Sequence, residues 1–163
     1  MNIRYASLID LTAIIEIYNA AIPGRMATAD LERISVESRL DWFHAHNPGK
    51  YPIWVVDDRG KIAGWLSLQE FYRRPAYYKT AEISIYIAHA WQSKGLGKEL
   101  LRHAIAQCPN LGIYTVHGLI FGHNYPSLKL FANFGFAQWG CMPKIADLDG
   151  IERDLIVLGL RIT

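Results

Sequence analysis

Residues Gln92-Ser93-Lys94-Gly95-Leu96-Gly97 constrain this chain more than any other stretch. They follow the alternating run Ala81-Glu82-Ile83-Ser84-Ile85-Tyr86-Ile87, whose two-residue period is that of a half-buried strand. They open into Leu96, Leu100, Leu101, Ala104, Ile105 and Cys108, spaced as one face of a helix. A strand therefore runs into a glycine turn, and the turn into a helix N-terminus. Helix N-termini present unpaired N–H groups and a partial positive charge. Glycine lets a ligand come close to that backbone. The unit is a candidate cradle for a pyrophosphate.

Two phosphate loops are excluded by residue identity. A P-loop requires G-x-x-x-x-G-K-[ST]. Gly97-Lys98 supplies the last pair, but Gln92 stands at the first glycine and Glu99 at the hydroxyl position. A dinucleotide fingerprint requires G-x-G-x-x-G, and Leu100 occupies its third glycine position. Q-x-x-G-x-G remains, which alone could also be a turn that merely starts a helix. A second block lies downstream: Asn124-Tyr-Pro-Ser127-Leu-Lys-Leu-Phe131-Ala-Asn-Phe-Gly135-Phe136. Pro126 suits a first helical turn, Leu128, Phe131 and Ala132 mark one helical face, and Gly135 ends it.

These two blocks resemble, in order and spacing, the acetyl-CoA pyrophosphate loop (Q/R-x-x-G-x-G/A) and the N-x-x-S/A block of the GCN5-related N-acetyltransferases, the GNAT superfamily. A narrower likeness lies between them. Arg74-Pro-Ala-Tyr77-Tyr-Lys-Thr80-Ala-Glu82-Ile-Ser-Ile-Tyr86 is similar to the segment before the cofactor loop in phosphinothricin and methionine sulfoximine N-acetyltransferases. Ile3-Arg4, Ala6, Asp10, Ile17-Tyr18-Asn19 and Trp42-Phe43 extend that likeness, so it spans essentially the whole chain. It implies an α/β (α+β) GNAT fold: one domain over residues 1–163, with a mixed, mainly antiparallel central sheet and helices on both faces.

The rest of the chain is compatible with that order of elements. Asn2 to Tyr5 reads as a strand, and Asp10 as the N-cap of a helix carrying Leu11, Ile14, Ile15 and Tyr18. Arg25 to Ile34 is a polar stretch without periodicity. Ser35 is placed to cap a second helix, ended by Asn47-Pro48-Gly49. Ile53–Val56 and Ile62–Leu68 read as strands joined through Asp57-Asp58-Arg59-Gly60. Ile113–Ile120 reads as a strand, and Phe136–Met142 with Asp154–Leu160 as a closing pair turning near Asp149-Gly150.

The resemblance assigns roles. Backbone N–H groups of Ser93, Lys94, Gly95, Leu96, Gly97 and Lys98, with Gln92, would wrap the pyrophosphate of acetyl-CoA, the expected co-substrate. Ile85, Tyr86 and Ile87 would pair with the pantetheine arm, an N–H near Ile87 serving as oxyanion donor. Asn124 and Ser127 would bond the pantetheine and its thiol end, with Phe131 beside the sulfur; Asn124 also reads as a plain helix cap. Transfer to an amine needs a base, since the amine must lose a proton. Glu82 shares one strand face with Ser84 and Tyr86 and matches the family's proposed base, acting directly or through water. Arg74 and Tyr77, with Glu82, Ser84 and Tyr86, would bind the acceptor, arginine being suited to a carboxylate or phosphinate. Phe131 departs from the tyrosine that many superfamily members use as general acid, although phosphinothricin enzymes also lack it. A histidine in those enzymes' C-terminal turn has no counterpart here, and Asp149 lies near that point.

Composition removes other classes. A net charge of +2 is too small to argue for nucleic acid or membrane partners. No apolar run approaches the roughly 18 residues of a membrane span. Asp10 and Glu16 interrupt any signal-peptide layout. Cys108 and Cys141 form no C-x-x-C and read as packing residues in a reduced, cytoplasmic protein. His44 and His46 point to different sides of a helix, and no metal-ligand set stands out. The expected function is acetyl transfer to the amine of a small amino acid or analogue. The alternatives are a polyamine, an aminoglycoside or a protein N-terminus as acceptor, or a non-catalytic acyl-CoA-binding module. The basic loop before Glu82 disfavours polycations. Related enzymes are commonly dimers, so a homodimer is expected by resemblance.

Overall fold

The computed structural model describes residues 1–163. Its strands are β1 (Asn2–Tyr5), β2 (Ile53–Asp58), β3 (Lys61–Glu70), β4 (Thr80–Ile87), β5 (Thr115–Phe121), β6 (Ala137–Leu148) and β7 (Ile151–Arg161). They form one seven-stranded sheet in the order β1-β2-β3-β4-β5-β7-β6. Neighbours are antiparallel except β4 and β5, which are parallel. The helices are α1 (Leu11–Ala21), α2 (Leu40–His44), α3 (Leu96–Gln107) and α4 (Tyr125–Ala132).

Strand alternation divides the core between the two sheet faces. On one, Leu11, Ile14 and Ile15 of α1 pack on Ile53, Val55 and Trp65. On the other, Leu96, Leu100, Leu101 and Ala104 of α3, with Phe131 of α4, pack on Leu66, Leu68, Ala81 and Ile83. Trp65, Ser67 and Gln69 therefore look toward α1 and α2, while Leu66 and Leu68 look toward α3. Both tight hairpins turn through a left-handed pair, Arg59-Gly60 (φ 55° and 87°) and Asp149-Gly150 (φ 56° and 85°). This is the geometry that right-twisted strands favour in two-residue turns.

Three local expectations are corrected and one is qualified. Asp10 stands at the N-cap position of α1, as expected, but makes no capping hydrogen bond there; a 3₁₀ turn, Leu8–Asp10, leads in from Ser7. Asp10 is buried and accepts from the Ser7 N–H at 2.8 Å and from Arg4 at 2.8 and 3.0 Å. The Arg4 hydrogen bond is the main reason its carboxyl is held below the usual range. The second helix is short: a 3₁₀ turn, Glu37–Arg39, feeds α2, and Ser35 Oγ accepts from the Ser38 N–H at 3.2 Å. β6 runs six residues past Met142, to Leu148, through one irregularity of register between Met142 and Ala146. Cys108 is buried, but Cys141 is exposed and is not a packing residue.

Candidate active site

The feature that makes a site is a parting of two central strands. β4 and β5 are in register at only Thr80↔Thr115, Ala81↔Val116 and Glu82↔His117. β4 continues to Ile87 and β5 to Phe121, without pairing to each other. On its other edge β4 stays paired with β3 as far as Gly64↔Ile87. The Ala88 N–H bonds to Ala63 O at 2.8 Å, so this position faces β3. By two-residue alternation the polar groups of Tyr86 also face β3, while those of Ile85 and Ile87 face the opening. The result is a wedge of about 390 Å³ lined by Ile83 to Tyr86, by Leu119 to Phe121, and by Asn124, Ser127 and Phe131. Met26 to Ala29 wall it from the far side. Its floor is apolar, and one margin is an unpaired strand edge. That suits an extended ligand bearing amide groups.

The glycine loop follows the end of β4 and leads into α3. Ser93 (φ 60°) and Gly95 (φ 84°) are left-handed, curling the backbone around its own N–H groups. Within α3, Glu99 N–H bonds back to Gly95 O at 3.1 Å, leaving the N–H groups ahead of it free to bind an anion. Gln92 Nε2 donates to Ile87 O at 3.4 Å and ties the loop to the end of β4. Lys94 lies over the Trp91 ring, 5.2 Å from its centroid. Lys98 is exposed. Gly97 has a packing reason of its own: a Cβ there would stand 3.2 Å from Leu130 Cδ2 of α4.

The second block closes one side of the wedge. Ser127 and Phe131, four residues apart on α4, share a face. Phe131 is buried edge-to-face against Phe136, with ring centroids 4.9 Å apart. Asn124 caps α4: its Oδ1 accepts from the Ser127 N–H at 3.3 Å, and its Nδ2 donates to Met26 O at 3.1 Å. Cap and tether are the roles visible for Asn124. Arg25, the residue before the Met26 to Ala29 wall, donates to Ile22 O, Leu31 O and the Asp149 carboxylate. Asp149 thus anchors the wall from the β6–β7 turn.

Glu82 and His117 form the last registered pair, at the apex where the strands part. Glu82 Oε2 accepts from Gln69 Nε2 at 2.6 Å. Burial raises the Glu82 carboxyl above its ordinary value, against the opposing hydrogen bond from Gln69. His117 Nε2 lies 3.9 Å from Glu82 Oε1 and has no hydrogen-bond partner. Burial pushes the His117 imidazole down to about 4, so it is neutral at pH 7. The ring of Phe71 covers it, centroid to centroid 4.4 Å.

Beyond β4, on the α1 face, lies a second cavity of about 170 Å³. Tyr18, Trp42, Trp65 and Tyr86 supply its aromatic walls, with Arg39, Ser67, Gln69 and Ser84 among the polar lining. Ser84 and Tyr86 border both cavities. Burial raises the Tyr86 phenol, whose hydroxyl donates to Ala27 O at 3.0 Å. Glu82 lines neither cavity but is bonded to Gln69, which lines this one. Arg74 and Tyr77 line neither and are exposed. Tyr77 packs on Phe71 and Tyr72, and so adjoins the cover over His117. The geometry thus gathers Glu82, Ser84 and Tyr86 and leaves Arg74 and Tyr77 at the margin. Trp42 carried a family likeness in the sequence, but Arg39, Ser67, Gln69 and His117 carried no signal there. Only the register of β3 and β5 against β4 brings the last three to Glu82 and Ser84.

A model of the acetyltransferase (GNAT) family matches residues 11–136. The Bacillus subtilis protein YwnH, whose name carries a provisional phosphinothricin acetyltransferase assignment, is 49% identical over 160 residues, covering 98% of each chain. The L-methionine sulfoximine/L-methionine sulfone acetyltransferase of Salmonella typhimurium is 30% identical, covering 99% of this chain and 95% of its own. The solved structure of a GNAT superfamily phosphinothricin acetyltransferase from Sinorhizobium meliloti, in complex with acetyl-CoA, superposes with a TM-score of 0.92 at 28% identity. It covers 99% of this chain and 88% of that one.

Proposed function

The chain belongs to the acetyltransferase (GNAT) family, and on that premise we propose that it moves an acetyl group from acetyl-CoA to the α-amine of a small amino acid or amino-acid analogue. The observation that carries this reading is the junction of the wedge and the aromatic cavity at Ser84 and Tyr86, with Glu82 one strand-step away. Acetyl-CoA, when bound, supplies the thioester whose acyl group is transferred. Free N–H groups at residues 93–98 hold its pyrophosphate. The polar groups of Ile85 and Ile87 pair with the amides of its pantetheine arm, and the Ile87 N–H stabilises negative charge on the acyl oxygen. The Ser127 hydroxyl, one helical turn from Phe131, reaches the thiol end.

On the acceptor side the amine must arrive unprotonated. Glu82 takes that proton through a water beside Gln69, since its carboxylate lines neither cavity. Its raised pKa brings it nearer to neutrality, where a base both accepts and releases protons efficiently. Neutral His117 places no positive charge next to Glu82, which would otherwise lower its basicity. Arg74 and Tyr77 guard the approach from the loop after β3. The names and activities of the relatives support the amino-acid class of acceptor.

The test is release of free thiol from acetyl-CoA across a panel of L-amino acids, methionine sulfoximine, phosphinothricin, spermidine and an aminoglycoside. Turnover concentrated in the amino-acid group is expected. Preference for spermidine or the aminoglycoside would overturn the reading.

A further inference from the structure

The aromatic cavity on the α1 face is not needed to hold a coenzyme, yet it is built with care. It contains an anomaly: Ser67 is 1% exposed, lines the cavity, and its hydroxyl has no hydrogen-bond partner. A buried hydroxyl without a partner is costly, and the cost disappears when a ligand atom pairs with it. Its neighbours on the same strand face are satisfied: Trp65 Nε1 donates to Ile14 O at 3.1 Å, and Gln69 is bonded to Glu82.

We propose that this cavity receives the acceptor's side chain, and that Ser67 selects side chains that are uncharged and end in a hydrogen-bond-accepting oxygen. The inference rests on the amino-acid reading above and narrows it. At about 170 Å³ the cavity is small beside pockets that enclose whole ligands, roughly 300–1,000 Å³, and suits one side chain. Its walls are rings in mutual contact: Trp42 with Trp65 at 5.6 Å, Trp65 stacked on Tyr86 at 4.9 Å, and Tyr18 edge-on to Tyr86 at 5.1 Å. Such walls favour an apolar or sulfur-bearing stem. The charge here is already balanced. Arg39 lies 3.4 Å from the Asp30 carboxylate and over the Tyr18 ring, and the Tyr18 hydroxyl donates to the same carboxylate. An ionised tip entering this cavity must compete with the Asp30 carboxylate for Arg39, and burying it unpaired is unfavourable. A sulfone, sulfoximine or carboxamide oxygen, by contrast, accepts from the Ser67 hydroxyl at no electrostatic cost.

The experiment uses the full chain saturated with coenzyme A. Calorimetric titrations with L-methionine sulfone, L-norleucine and phosphinothricin are run on the wild type and on Ser67→Ala. Parallel acetyl-transfer kinetics use acetyl-CoA. The wild type should favour the sulfone over norleucine by about 10-fold, the scale of one hydrogen bond. It should bind phosphinothricin more weakly than the sulfone. Ser67→Ala should bring the sulfone-to-norleucine ratio toward one. An unchanged ratio in that variant, or phosphinothricin binding as tightly as the sulfone, would overturn the proposal while amino-acid turnover left the parent reading intact. A wild type that neither binds nor acetylates any amino acid would remove both. Ser67→Thr, which keeps the hydroxyl, should retain the preference; its loss there would point to shape instead and count against the hydrogen bond.

Discussion

The wedge and the aromatic cavity meet at Ser84 and Tyr86 but are made in opposite ways. The wedge is a work of backbone: an unpaired strand edge, a left-handed loop and the start of a helix. Its side chains mainly make it dry. The cavity is a work of side chains: four rings, an ion pair and a buried hydroxyl on a face whose backbone is fully engaged in the sheet. A backbone site tolerates many sequences so long as the strands part and the loop turns. A side-chain site changes with each substitution. One coenzyme can therefore be kept constant across relatives while the acceptor is varied.

The largest test of this contrast falls where the two regions join. Glu82→Gln keeps the shape and the contact with Gln69 but removes the base. It should lower kcat/KM by about 10²- to 10⁴-fold, most severely at low pH, with acetyl-CoA affinity near that of the wild type. Steady-state kinetics across pH decide it, and a wild-type rate throughout would detach the junction from the chemistry.

The next concerns stability at the same apex. His117 titrates near 4 when folded, against an ordinary 6.5. Below pH 6.5 the unfolded chain binds a proton there that the native state refuses, so stability falls as pH drops toward 4. The loss from this one group is about 2 kcal/mol between pH 7 and pH 5. Burial also lowers His46, which acts in the same direction. Glu82, raised in the fold, acts in the opposite sense, stabilising the protein as acid protonates it. Urea unfolding of the wild type and His117→Phe at both pH values isolates the first term. The variant should lose less stability than the wild type on acidification, and equal losses would show that His117 is not buried as a neutral ring.

The smallest effects separate backbone from side chain directly. Lys94→Ala and Lys98→Ala should each weaken acetyl-CoA binding by less than about 3-fold, since exposed charges contribute little beside the loop N–H groups. Arg39→Ala, which removes the one cation lining the cavity and leaves Asp30 only its Tyr18 hydrogen bond, should raise the acceptor KM by about 10-fold. Arg74→Ala should raise it less, from its exposed margin. Calorimetry and initial rates measure all four. An Arg74 effect exceeding that of Arg39 would move acceptor recognition to the β3–β4 loop.

The same contrast explains what was legible in the sequence. The strand, loop and helix of the wedge are contiguous from Ala81 to Cys108, and their pattern is local. The second block is equally compact, although what Asn124 bonds to could not be read from it. The cavity is drawn from α1, the turn at Arg39, α2, β3 and β4, and each piece alone looks like ordinary core or surface. Ser67 sat inside an apolar run, and His117 was one residue of a strand. The stretch from Arg25 to Ile34 had no period because side-chain bonds hold it: Arg25 to two carbonyls and Asp149, Asn124 to Met26, and Asn19 to both polar groups of Ile34. Gly97 was legible as a glycine, but its approach to Leu130 was not.

The three registered pairs between β4 and β5 carry one more consequence. They are the only strand pairing between a four-stranded N-terminal portion of the sheet and a three-stranded C-terminal one. A ligand lying along the parted edge of β4 would bridge that seam and act as a removable strand. Anything that binds the folded chain and not the unfolded one shifts the folding equilibrium by mass action. The folding of this protein is thereby linked to the supply of its acyl donor, and its resistance to unfolding becomes a gauge of how much donor is present.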